Sequence, residues 1–141
     1  MTPHSPFPYL RQVVLDCPNP RSLAEFYREL LGYAYRPGHE EDDPDGDDWL
    51  VLVAPDGRRL AFQQDEDLIP STWPEGQVPQ QLHLDLTVAD KVELDRQHER
   101  ALALGARLIN DESDDEVEQL RAYADPAGHP FCIFVAPDHP A

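Results

Sequence analysis

The chain runs through one order of patterns twice. Gln80 to Val88, QQLHLDLTV, alternates Leu82, Leu84 and Leu86 with His83, Asp85 and Thr87. A strand sends successive side chains to opposite faces, so this one has an apolar face and a face carrying an imidazole, a carboxylate and a hydroxyl. The same alternation occurs in Arg11 to Cys17, RQVVLDC, with Val13 and Leu15 on one side and Gln12, Val14 and Asp16 on the other. The segments after the two strands also match: LLGYAY against LALGARL, and APDGRRLAF against DPAGHPFCI. Two rounds of strand, helix and three further strands exclude a doubly wound parallel sheet, because each round has one helix for four strands.

In the first round, Tyr9 to Cys17 predicts a strand and PNPRSLAEFYRELLGY a helix. Asn19 suits the cap, Pro20 the first turn, and Gly32 the left-handed residue that ends a helix. Leu23, Phe26, Tyr27, Leu30 and Leu31 form one apolar stripe, expected to lie on the Val13/Leu15 face. Tyr33 to Arg36 predicts a short strand and His39 to Asp48 an acidic loop. Trp49 to Ala54 and Arg59 to Gln64 predict two strands that turn at Pro55-Asp56-Gly57-Arg58. Asp65 to Pro79 has linker composition, with Ile69 and Trp73 expected to hold it down. In the second round, Asp90 and Glu93 form a capping box for a helix running towards Gly105, with Leu94, His98, Ala101 and Leu102 on one side. Arg107 to Asn110, Gln119 to Ala124 and Phe131 to Ala136 predict the remaining strands, the last two joined through Asp125-Pro126-Ala127-Gly128. The expectation is one α+β domain over residues 8–137. Module one spans 8–66, a linker 67–79 and module two 80–137, with residues 1–7 a loose leader.

At 141 residues the chain has the size of one ordinary domain. Its 28 acidic residues against 11 basic ones give a net charge of −17, which argues against nucleic acid and anionic membranes as partners. That charge is compatible with a cationic or neutral small ligand, and equally with solubility alone. No signal-peptide pattern opens the sequence, and no run approaches the roughly 20 apolar residues that span a bilayer. Cys17 and Cys132, one in each round, are expected to be reduced thiols in a cytoplasmic protein.

Two βαβββ units with L-D…P-N-P-x-x-L-A-x-F-Y-x-x-L-L-G in the first and A-D-P-A-G-H-P-F at the last hairpin resemble the vicinal oxygen chelate superfamily. That superfamily includes glyoxalase I, extradiol dioxygenases, fosfomycin-resistance proteins and bleomycin-binding proteins. WLVLVAPDGRRLAFQ, S-T-W-P, V-P-Q-Q-L-H-L-D and A-D-P-A-G-H-P-F-C resemble its glyoxalase-like domain branch. The resemblance implies two modules forming an incomplete barrel, with helices outside and a groove inside lined by Gln12, Asp16, His83 and Asp85. It also implies a homodimer.

Metal-dependent members of the superfamily bind one divalent ion through a residue on the first and fourth strand of each module. Carried over position by position, these are Gln12, His83, Cys132 and, by the internal repeat, Ala61, with Gln63 substituting if the register is displaced by two. An amide oxygen is a weak ligand and Ala none. Asp16 and Asp85 lie on the same faces but further down each strand. The expectation is no bound metal and no cofactor. An ion, if bound, would be held by His83 with Gln12, Gln63 or Cys132.

His83 is the best candidate for catalytic proton transfer, with Asp85 able to bias its charge; the competing reading is a histidine satisfied inside a polar interior. His129 follows the last turn, and Trp73 is placed to cover the groove or to anchor its own linker. The run from Glu41 to Asp48 imitates a calcium loop through Asp43, Asp45 and Gly46, but Leu52 stands where the closing Glu belongs. The expected ligand-binding set is therefore Gln12, Gln63, Trp73, His83, Asp85, His129 and Cys132. The function expected is binding of a small molecule in the groove without the usual metal. Two readings stay open beside it: a metal-dependent lyase, isomerase or dioxygenase with an atypical ligand set, and sequestration of a cationic antibiotic of the bleomycin-resistance type.

Overall fold

A computed structural model describes residues 5–43 and 45–140. Of the expected leader, residues 1–4 lie outside the described residues, while residues 5–7 are exposed and belong to no helix or strand. The elements are β1 (Val13–Cys17), α1 (Pro20–Leu31), β2 (Ala34–Tyr35), β3 (Trp49–Val53), β4 (Arg59–Gln64), β5 (Leu84–Val88), α2 (Lys91–Leu104), β6 (Arg107–Glu112), β7 (Leu120–Ala124) and β8 (Pro130–Val135). The strand–helix–three-strand order thus occurs twice in an α+β fold. It builds two four-stranded sheets, β1-β4-β3-β2 and β5-β8-β7-β6. β1 runs parallel to β4 and β5 to β8, and every other pairing is antiparallel. Both sheets are open, and β1 and β5 are end strands with one edge unpaired within their sheets.

Local chemistry explains the helix ends. The Asn19 side chain accepts from the Ser22 N–H at 3.2 Å, and Gly32 takes φ 71° where a side chain would be strained. Asp90 accepts from the Glu93 N–H at 2.9 Å to open α2. The α1 stripe buries Leu23, Phe26, Tyr27 and Leu30. It lies chiefly over β3 and β4 rather than over the Val13/Leu15 face. The reason is that β1 is an edge: Leu15 is covered, but Val13 stays 36% exposed, while Leu50, Leu52, Leu60 and Phe62 supply the centre. On α2, Leu94 and Ala101 are fully buried and His98 is half-buried, but Leu102 is 39% exposed, so the expected stripe is narrower by that residue.

Both lead strands start later than their alternation. Pairing begins at Val13 with Leu60 and at Leu84 with Phe131, which leaves Tyr9 to Gln12 and Gln80 to His83 outside the ladders. β6, in contrast, extends to Glu112 because Asp111 and Glu112 pair with Arg121 and Leu120. The acidic loop is strapped rather than free. Arg21 donates to the Asp47 carboxylate and to the backbone oxygens of His39 and Glu41, at 2.7 to 3.2 Å, and lies 4.8 Å from the Tyr35 ring centre. The linker closes on itself through three hydrogen bonds between Thr72 and Val78, at 2.8, 2.8 and 3.3 Å. Its Pro70 lies against Gly128, where a Cβ would come within 2.5 Å of the proline ring. Trp73 is half-buried, but Ile69 is exposed and does not hold the linker down. Cys17 and Cys132 are free thiols. Among the described residues, no helix is long and apolar enough to cross a membrane.

Candidate functional site

The two lead strands carry unlike polar faces. In β5, Leu84 and Leu86 pack towards the core, leaving Asp85 and Thr87 on the face away from α2. Asp85 is in register with Cys132 of β8. His83, one residue before β5, brings Nε2 to 3.2 Å from Asp85 Oδ1. Donor atoms of His83, Asp85 and Cys132 all lie within 4.8 Å of one another. Burial, with the Asp85 carboxylate beside it, raises the Cys132 thiol above its ordinary value. At neutral pH it therefore offers a weak S–H donor. The imidazole and carboxylate are roughly half exposed, so a ligand on this face can exchange hydrogen bonds or a proton with them.

The first sheet puts alkyl groups where the second has donors. Val14 pairs with Ala61, and Ala61 pairs on its other side with Val51; Ala61 is fully buried. Gln63 sits beyond it, exposed and in register with Asp16. Gln12 precedes β1, and its side-chain oxygen is buried with no hydrogen-bond partner among the described residues. An ion shared between modules, as the superfamily implies, needs donors from both sheets. With Ala61 closed in by Val14 and Val51, these residues do not fit such an ion. The cluster of possible ligand atoms found among the described residues, His83 with Asp85 and Cys132, lies on the second module.

His129 joins the modules. Its Nε2 lies 2.6 Å from the backbone oxygen of Asp16, and since a carbonyl only accepts, that nitrogen carries the proton. His98 meets the Tyr123 hydroxyl at 2.8 Å, which marks it as a packing residue.

A cleft of about 1110 Å³ opens between the modules. Tyr9 to Val13, the C-terminal end of α1, Tyr33 and the β3–β4 hairpin form one wall. Leu84 to Ala89, Glu93, Gln97 and Ile133 form the other, with His139 and Pro140 beside them. Because consecutive residues from both faces of β5 line it, the cleft runs along the unpaired strand edge. Of the residues singled out from sequence, Gln12 and Asp85 line this cleft; Gln63, Trp73, His83, His129 and Cys132 do not. Arg11, Tyr33, Arg59, Glu93 and Gln97 escaped sequence reasoning, which looked at strand faces and not at strand edges. The adjacent Arg58-Arg59 in so acidic a chain was the available signal.

Two open sheets, each a βαβββ unit with its own helix, define the vicinal oxygen chelate class of fold. A glyoxalase/dioxygenase from Nostoc punctiforme is 17% identical over 98% of this chain and 99% of its own, with a TM-score of 0.67. A fosfomycin resistance protein from Mesorhizobium loti is 13% identical over 92% and 93%, with a TM-score of 0.66. A lactoylglutathione lyase from Agrobacterium tumefaciens is 16% identical over 94% and 97%, with a TM-score of 0.61. These likenesses establish the fold. No curated protein sequence matches the chain. The chain belongs to the glyoxalase-like domain family, whose model matches residues 12–134.

Proposed function

We propose that this glyoxalase-like protein binds a small organic molecule on its polar sheet faces, with no divalent ion shared between the two modules. The observation that carries this reading is Ala61, fully buried between Val14 and Val51 where the first module would have to contribute a metal ligand. On the second module, His83 and Asp85 offer a donor–acceptor pair with both groups reachable from solvent. Gln63 and Asp16 present an amide and a carboxylate on the opposite sheet. Such a set orients a ligand through hydrogen bonds, and His83 is the group suited to move a proton.

A second reading is favoured by one observation. His83, Asp85 and Cys132 bring a nitrogen, an oxygen and a sulfur close enough to hold a soft ion within one module. A metal-dependent lyase, isomerase or dioxygenase would then work from an atypical three-donor site, and the similarly folded lactoylglutathione lyase keeps that reading in view. Elemental analysis of protein purified without chelator, then calorimetric titration with Ni²⁺, Zn²⁺ and Fe²⁺, separates the two. The metal-free reading expects substoichiometric metal and only weak binding, unchanged in His83→Ala. Tight one-to-one binding that disappears in His83→Ala would overturn it in favour of the enzyme.

A further inference from the structure

We propose that the cleft between the edge of β5 and the segment leading into β1 binds an amphipathic organic anion. Its apolar body would lie against Tyr9, Leu10 and Leu86, and its acidic group on Arg11 and Arg59. The site is separate from the His83 cluster, from which only Asp85 reaches the cleft, and it does not depend on whether that cluster holds an ion.

Size is the first argument. At about 1110 Å³ the cleft exceeds what a drug-sized molecule needs, since ligand pockets run to roughly 300–1,000 Å³. The second is apolar surface left in water. Tyr9 and Leu10 line the cleft at 87% and 81% exposure, and Leu31, Leu84 and Leu86 line it half-buried. Exposed apolar side chains gathered at one cleft mark a binding site more often than singly scattered ones do.

Charge decides the class of ligand. Five arginines, Arg11, Arg36, Arg59, Arg100 and Arg107, make no ion pair among the described residues, and two of them, Arg11 and Arg59, line the cleft. Arg58 is taken up by Asp56 at 2.8 Å. The Arg59 Nε is moreover buried with no acceptor. A planar guanidinium with unused donors is matched by a carboxylate or sulfonate. The opposite wall carries Asp85 and Glu93, which fixes the polarity: the acidic group sits on the module-one side, and a hydroxyl or amine on the ligand would face module two.

The test uses two fluorescent probes with one body, 8-anilinonaphthalene-1-sulfonate and the neutral N-phenyl-1-naphthylamine. Each is titrated into wild type, Arg11→Gln/Arg59→Gln and Arg107→Gln, with circular dichroism to confirm folding and sedimentation to give the oligomeric state. The expected result is one sulfonate probe bound per chain, displaced by decanoate. Its affinity should fall at least about tenfold in the double arginine variant, while that of the neutral probe changes little. Arg107→Gln, which removes an exposed cation outside the cleft, should bind both probes as wild type does, so the loss is not one of overall charge. Equal binding of the sulfonate probe by wild type and the arginine variant would overturn the proposal, leaving an apolar surface without a charge reader. A dimer that excludes both probes would also overturn it, because the cleft would then belong to a second copy.

Discussion

Tyr27 and Asp125 form the most deeply buried polar contact between the modules. The Tyr27 hydroxyl donates to Asp125 Oδ2 at 2.6 Å, and Oδ1 accepts from the Ala127 and His129 N–H groups at 2.8 and 3.0 Å. Burial pushes the Asp125 carboxyl up from its ordinary value, while the tyrosine and the two backbone donors hold it back. Burial first, and then the neighbouring carboxylate, raise Tyr27 as well. A carboxyl raised on folding contributes stability that is fully present below its ordinary value and is lost as pH rises through its folded value. Acidification from neutral should therefore favour wild type relative to Asp125→Asn, which cannot take up the proton. Urea unfolding of the two at a series of pH values checks the direction; a gap that moves the other way would mean that the carboxylate is better served folded than unfolded. Tyr27→Phe removes one of the three donors to Asp125 and should cost about 1–3 kcal/mol at pH 7 in the same experiment.

Among the elements, the second sheet is tied to α2 by one cation. Arg121 of β7 is only 7% exposed, and it reaches Asp95 of α2 at 3.0 Å, Asp111 of β6 at 3.2 Å and the Ser113 hydroxyl at 3.0 Å. Hydrogen bonds from Ser113, with the Arg121 guanidinium beside them, hold the Asp111 carboxyl down at about 2 against an ordinary 3.8. A depressed carboxyl contributes stability above its ordinary value, and that contribution is lost as pH falls towards the folded one. Asp111 is partly in water, so screening limits the effect. Asp111→Asn should be less stable than wild type by about 1 kcal/mol at pH 7, with the gap closing between about pH 4 and pH 2. Chemical denaturation at both ends of that range reads it. The sequence did not reveal this tie, because LRAYA scans as an ordinary strand and its partners lie on two other elements. By contrast, α1 was legible almost residue by residue, since Asn19, Pro20 and Gly32 act locally. The ends of β1 and β5 were not, because strand-like sequence runs on upstream, into Tyr9 to Gln12 and Gln80 to His83, which pair with no strand among the described residues. The grouping of His83 with Asp85 came from strand period alone. The cleft needs the β5 edge brought by packing against the segment before β1, which no local pattern records.

Across the whole molecule, the repeat does not make two independent halves. Each module has one helix and one open sheet, too little to enclose a core alone. The missing side comes from the other module. Phe26 and Tyr27 of α1 lie 5.8 and 6.2 Å from Phe131 of β8, Tyr27 stacks on Phe62 at 6.0 Å, and Phe131 stacks on Tyr123 at 5.1 Å. Arg100 of α2 donates to the backbone oxygen of Glu29 at 2.7 Å, near the C-terminal end of α1, where the helix carbonyls have no partners of their own. Because Phe131 is fully buried at the centre of this cluster, Phe131→Ala should cost about 3–5 kcal/mol, the range for a large aromatic truncated in a packed core. The loss should fall on both modules together, since the ring touches α1 as well as its own sheet. Hydrogen exchange is the discriminating measurement: protection of β3 and β4 amides should drop by the same factor as that of β7 and β8, within one cooperative urea transition. A variant that loses protection only in β7 and β8, or unfolds in two steps, would show that the first module holds its core without the second.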